Sequence, residues 1–111
     1  MRILILEDEP LIALHLAQEL RFAGYDIIGP APTLESADLL LETETPDFAI
    51  LDANVRGCLP IKIAEDLARR SIPFVYITGY NRSYIRTHLP DAPVLSKPIE
   101  MKSLKQMLAR A

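Results

Sequence analysis

The sequence predicts one α/β domain built on a parallel sheet with helices on both faces. Three observations carry this prediction. The apolar runs Ile3-Leu4-Ile5-Leu6 and Phe48-Ala49-Ile50-Leu51 lack polar alternation, as expected of strands buried on both sides. They alternate with segments whose apolar residues recur at helical spacing, which implies right-handed crossovers and a sheet covered on each face. The chain has 111 residues, half of them hydrophobic, enough for one core and five strand–helix units with no room for a second domain.

Taken in order, the first strand is Ile3 to Leu6, ended by the acidic residues Glu7, Asp8 and Glu9. Pro10 suits the first turn of a helix, where its missing N–H costs nothing. Ile12, Leu16, Leu20 and Ala23 repeat along that helix, and Gly24 stops it. Tyr25 to Gly29 reads as the second strand. Thr33 caps a helix whose Leu34, Ala37, Leu40 and Leu41 share a face. The third strand, Phe48 to Leu51, ends in Asp52, and Ile61, Ala64, Leu67 and Ala68 mark the next helix. Pro73 opens the fourth strand, Phe74 to Ile77, which ends at Thr78. Asn81 to Leu89 is short, polar and bounded by Pro90, a weak helix signal. Val94-Leu95 forms a brief fifth strand, and Met101, Leu104, Met107 and Leu108 line a final amphipathic helix.

Composition narrows the function classes. The net charge is -3 and only Arg69 and Arg70 are adjacent basic residues, a poor match to the clustered cations that hold nucleic acid. The single cysteine, Cys58, cannot staple the fold, and with only His15 and His88 it cannot build a Cys/His metal site. Cys58 reads as a small loop residue, His15 and His88 as solvated or packed side chains. No run approaches the roughly 20 apolar residues that span a membrane, and the opening residues are too few for a signal peptide. The expected setting is cytoplasmic, with neither membrane nor nucleic acid as partner.

In a parallel sheet the carboxyl ends of all strands share one rim, where open α/β sheets bind ligands. That rim gathers Glu7, Asp8 and Glu9 after strand one, Asp52 after strand three, Thr78 after strand four and Ser96-Lys97-Pro98 after strand five. Clustered carboxylates repel one another, and a hard divalent cation relieves the repulsion. Oxygen donors without Cys or His select Mg2+ or Mn2+ over zinc. A metal beside a carboxylate, with a lysine and a hydroxyl nearby, is the equipment of phosphoryl transfer, and Asp is an established phosphoryl acceptor. Each residue also has a plainer reading. Asp52 alone would be a strand-end carboxylate, Glu7 and Asp8 suit a helix N-terminus, and Glu9 serves best as a cap.

Leu4-Ile5-Leu6-Glu7-Asp8-Glu9-Pro10, Ile50-Leu51-Asp52, Ile77-Thr78-Gly79 and Leu95-Ser96-Lys97-Pro98 together resemble the receiver domain of bacterial response regulators, in the right order along the whole chain, residues 1–111. The resemblance implies a flavodoxin-like (βα)5 three-layer sandwich with strand order 2-1-3-4-5. It implies Asp52 as phosphoacceptor, Asp8 as direct metal ligand, Glu7 as ligand mostly through water, and the backbone carbonyl of Asn54 as a further ligand. Thr78 would hydrogen-bond the phosphoryl group and Lys97 would pair with its charge. The Lys97-Pro98 peptide is cis in the family. The implied partners are a sensor histidine kinase or histidine phosphotransfer protein, meeting the first helix and the rim loops, and a downstream protein partner meeting the fourth and fifth helices. With no effector domain in the sequence, output is expected to pass through such a partner.

Two departures matter. Many receivers carry an aromatic residue three positions before the lysine, where this chain has Val94. Instead, Pro73-Phe74-Val75-Tyr76-Ile77-Thr78-Gly79-Tyr80 resembles the subgroup whose fourth strand reads Phe-x-Phe-Ala-Thr-Gly-Tyr. Switching is then expected through the loop after strand four, where Tyr80 either reports or gates the loop or is an ordinary half-buried tyrosine, with Tyr76 as core. Gly57 should adopt a backbone shape closed to other residues, and Asn54 and Tyr80 should tune the lifetime of the phosphoryl group. Two rivals differ in class. A haloacid-dehalogenase-type phosphatase would carry a second Asp two residues after the first, where this chain has Asn54. A receiver-like scaffold that is never phosphorylated would have no need of Asp52, Thr78 and Lys97 together.

Overall fold

A computed structural model describes residues 1–79 and 82–111. The strands are β1 (Arg2–Leu6), β2 (Asp26–Ala31), β3 (Phe48–Asp52), β4 (Phe74–Thr78) and β5 (Val94–Ser96), and the helices α1 (Pro10–Phe22), α2 (Leu34–Thr43), α3 (Ile61–Arg69), α4 (Arg82–His88) and α5 (Met101–Ala109). All strand pairs are parallel, and the sheet order is β2-β1-β3-β4-β5, the flavodoxin-like arrangement.

Alternate residues of each central strand face opposite layers. Leu4, Leu6, Leu51, Phe74 and Tyr76 pack against Ala37 and Leu41 of α2, Ile63, Ala64 and Leu67 of α3, and Ile85 of α4. Ile3, Ile5, Ile50, Val75 and Ile77 pack against Leu16, Ala17 and Leu20 of α1 and Leu104 and Leu108 of α5. Three layers result, and residues 3–6 of β1, 48–51 of β3 and 74–77 of β4 are buried hydrophobics because both of their faces are covered.

Local chemistry sets the element ends. Thr33 caps α2 in a capping box, its hydroxyl accepting from the Ser36 N–H at 3.0 Å while Ser36 Oγ accepts from the Thr33 N–H at 3.1 Å. Gly24, at φ +99°, turns the chain out of α1. Arg70 donates to the Leu41 carbonyl at 2.8 Å and so satisfies the end of α2 from α3.

The structure differs from the sequence reading in three places. β2 runs on to Ala31 through a cis Gly29-Pro30 peptide and a register shift opposite β1. A Cβ on Gly29 would stand 2.7 Å from the Ala31 nitrogen and 3.2 Å from the Ile5 carbonyl, so only glycine fits where β2 leans onto β1. In α3 the buried face is Ile63, Ala64 and Leu67, while Ile61 and Ala68 are exposed. The weak signal after strand four is a helix, Arg82–His88, held by Ile85 in the core and by a Tyr84–His88 ring stack at 4.1 Å.

Candidate phosphoacceptor site

The carboxyl ends of β1, β3, β4 and β5 bring the anticipated residues to one rim. Asp52 closes β3 and is buried, with Oδ1 accepting the Asn54 N–H at 3.0 Å. The next step of the β3–β4 register carries Thr78, also buried, to the same edge. Thr78 pairs with Ser96 in β5, and its carbonyl accepts the Lys97 N–H at 2.8 Å, which fixes the lysine backbone beside it. Lys97 precedes the anticipated cis bond to Pro98.

Lys97 Nζ reaches across the rim to 2.9 Å from Glu7 Oε1, 3.4 Å from Asp52 Oδ2 and 3.9 Å from Glu9 Oε1. Glu7, Asp8 and Asp52 each place a carboxylate oxygen within 4.8 Å of the other two. Asp8 is held from another direction, its Oδ2 accepting the Arg56 N–H at 3.0 Å.

The electrostatics follow from this crowding. Burial, with the carboxylates of Glu7 and Asp8 alongside, pushes the Asp52 carboxyl up to about 8, against the pull of the Asn54 N–H. Burial would also raise Asp8, yet the Arg56 N–H, together with Asp52 and Glu7, holds it below the usual range. Burial would lower Lys97, but Glu7, Asp52 and Glu9 outweigh it and raise the ammonium above its ordinary value. Burial and crowding thus favour the protonated form of Asp52, and the Lys97 ammonium faces it.

A hard divalent ion fits these residues. The donors are all oxygens. Glu7 Oε1 is fully buried and no hydrogen bond to it is formed among the described residues, although the Lys97 ammonium stands 2.9 Å away as an ion pair. A buried carboxylate oxygen that accepts no hydrogen bond is costly, and a metal ion shared with Asp8 and Asp52 would add to the charge compensation that Lys97 supplies.

The loop after Asp52 is compact. Val55 and Cys58 exchange backbone hydrogen bonds of 2.8 and 3.0 Å around Arg56 at φ +52° and Gly57 at φ +84°. Positive φ at both central residues defines a type I′ turn, in which the non-glycine residue costs roughly 1–2 kcal/mol. Gly57 takes the backbone shape its sequence position called for. The Arg56 N–H bond to Asp8 was not legible, because a backbone donor leaves no residue-type signal.

The remaining residues sort cleanly. Glu9 occupies the N-cap position of α1 without a side-chain cap bond, and points to Lys97 instead. Cys58, His15 and His88 are exposed. Val94 is buried in the core. Tyr76 is buried too, its hydroxyl donating to the Pro90 carbonyl at 2.7 Å and its ring edge-on to Phe74 at 5.4 Å. Tyr80, weighed as a gate of the loop, and Asn81 lie outside the described residues. A cleft of about 380 Å3, bordered by Asn54, Thr78 and Tyr84 among others, opens beside the rim toward α4, and sequence reasoning gave Tyr84 no part in it.

Known proteins agree with this architecture. Residues 3–109 match the family described as response regulator receiver domain. The transcriptional regulatory protein PdtaR of Mycobacterium tuberculosis is 32% identical over 108 residues, 96% of this chain and 53% of that protein. The solution structure of SdrG from Sphingomonas melonis is 40% identical, covers 98% of this chain and 93% of its own, and superposes with a TM-score of 0.84. The response regulator TrrA of Thermotoga maritima, solved in complex with Mg2+ and BeF, is 26% identical over 98% of this chain and 96% of its own, with a TM-score of 0.77. The chain spans about half the length of the curated relatives it matches.

Proposed function

This chain belongs to the response regulator receiver domain family, and from that premise we propose that residues 1–111 act as one receiver that takes a phosphoryl group onto Asp52 and switches partner binding. The observation that carries the reading is the convergence of Glu7, Asp8 and Asp52 within 4.8 Å, with Lys97 Nζ 3.4 Å from Asp52 Oδ2. The solved complex of TrrA with Mg2+ and BeF supports it by likeness.

Glu7, Asp8, Asp52 and the Asn54 carbonyl would hold Mg2+ or Mn2+. When bound, the ion supplies positive charge that offsets the carboxylates and orients the incoming phosphoryl group. An oxygen of Asp52 attacks phosphorus of a phosphorylated imidazole on the donor. The O–P bond forms as the N–P bond breaks, and the imidazole nitrogen keeps the electron pair and takes a proton from solvent. Lys97 pairs with the transferred charge and Thr78 donates its hydroxyl to a phosphoryl oxygen, so charge stabilisation and positioning do the catalytic work. The chain is thus a signalling switch that assists only its own phosphorylation and dephosphorylation.

The donor would be a sensor histidine kinase or histidine phosphotransfer protein in the cytoplasm. Exposed Leu11 and Leu14 on α1, beside the rim, suit an apolar helical partner. A downstream protein would read the change, with the loop after β4 as the switching segment. Val94 has no ring to swing inward, which favours that loop over β5. No helix among the described residues is long and apolar enough to cross a membrane.

The test is incubation with acetyl phosphate and Mg2+, read by intact mass. One added phosphoryl group is expected, absent in Asp52→Asn. No addition with any phosphodonor would favour the unphosphorylated scaffold, and sustained turnover of a generic phosphate ester would favour a phosphatase.

A further inference from the structure

We propose that the Arg56-Gly57 turn is a positioning device for Asp8, acting through a backbone N–H, and that it sets how tightly the acidic cluster holds a divalent cation. The proposal rests on the metal-binding role given above to Asp8 and deepens it.

In a two-residue turn the closing hydrogen bonds use the groups of the flanking pair, here Val55 and Cys58, and leave the first central N–H free to point outward. The left-handed φ of Arg56 aims that N–H at Asp8 Oδ2, 48 residues earlier in the chain, at 3.0 Å. One Asp8 oxygen is thereby held by the turn, which fixes the carboxylate that Asp8 brings to the group it forms with Glu7 and Asp52. The Arg56 side chain is exposed and has no ion pair or hydrogen bond among the described residues, so its role lies in its backbone. Val55, buried, anchors the base of the turn. Strained backbone of this kind persists where surrounding structure dictates it, and it concentrates at functional sites.

Gly57 offers a clean handle. A Cβ placed on it would meet no atom within 4 Å, so a substitution acts through φ alone. Gly24, at φ +99° and with the same open surroundings at the end of α1, is a matched control at the other pole of the sheet. Mg2+ dissociation constants would be measured on the full chain by titration of backbone amide resonances, with folding followed by circular dichroism. Gly57→Val should weaken Mg2+ binding roughly tenfold, in line with the loss of groups that orient metal ligands. Gly57→Asn, which tolerates positive φ, and Arg56→Ala, which keeps the N–H, should both stay near the wild type. Gly24→Val should lower the melting temperature without weakening Mg2+ binding.

Wild-type affinity in Gly57→Val, with the Arg56 amide resonance displaced, would overturn the proposal. So would equal weakening in Gly24→Val. If the wild type binds no Mg2+, the metal-binding reading of the cluster itself falls, and the role of the turn with it. If the wild type binds and the Gly57 variants bind alike, only the role of the turn falls.

Discussion

The Lys97 ammonium stands 2.9 Å from Glu7 Oε1, nearer than it stands to Asp52. It is therefore first a counter-ion to a buried glutamate and second a neighbour of the phosphoacceptor. Its ion pairs run to Glu7, Asp52 and Glu9, while Asp8 is held by the Arg56 N–H instead.

Removing it should cost stability in a way that depends on metal. Losing one partner of a fully buried pair costs about 3–5 kcal/mol. Lys97 keeps 17% of its side chain exposed, so Lys97→Met should lose about 1–3 kcal/mol in the presence of a chelator. Saturating Mg2+ should return part of this, since a cation then replaces a cation. Urea denaturation with and without Mg2+ reads both quantities. Equal stability of variant and wild type in chelator would show that the ammonium does not hold the cluster.

Metal-free protein should lose stability as the pH rises. Asp52 holds its proton up to about 8 in the folded state and releases it near 3.9 when unfolded. Between these values the folded state binds more protons, so stability falls as pH climbs through the window and levels off above about 8. Asp8, held low, acts oppositely at acid pH, its contribution disappearing as pH drops below the ordinary carboxylate range. Because Mg2+ competes with the retained proton, its affinity should strengthen from pH 6 to pH 8, with proton release on binding. Calorimetric titration in two buffers of different ionisation enthalpy measures that release, and binding without it would contradict the assignment.

Tyr76→Phe should separate the core from the chemistry. The ring stays in place, while the hydrogen bond to the Pro90 carbonyl is lost, at a cost of about 1 kcal/mol. Chemical denaturation should show that loss, and phosphorylation by acetyl phosphate should be unchanged. A slower phosphorylation rate would give the tyrosine a part in the site.

The strands at the centre of the sheet were almost fully legible. Uninterrupted apolar runs ending at Leu6, Leu51 and Ile77 have one physical meaning, burial on both faces, and the residue that follows each stands at the rim. That is why the sequence alone places Glu7, Asp52 and Thr78 at the rim. The edges were harder. Pro30 reads as a stop, yet β2 passes through it because the turn at Gly29 lets the chain lean onto β1. In α3 the sequence reading takes Ile61, Ala64, Leu67 and Ala68, and packing in the core buries Ile63, Ala64 and Leu67 instead. In α4 local propensity is poor, and one buried residue, Ile85, supplies what the sequence lacks. At the site, side-chain identity revealed the acids and the lysine, while the Arg56 N–H that orients Asp8 carries no signature in the residue code.

The two outer strands have a consequence for recognition. β5 has three residues and lies between Pro93 and Pro98, and β2 contains Pro30 near its rim end. The three-residue β5 margin offers an incoming chain few unpaired amides to zip against, which guards that edge from aggregation, and Pro30 removes one amide from β2. The β5 edge therefore gives a partner little to dock on as a sixth strand, and at that end of the sheet recognition falls to helix faces and loops.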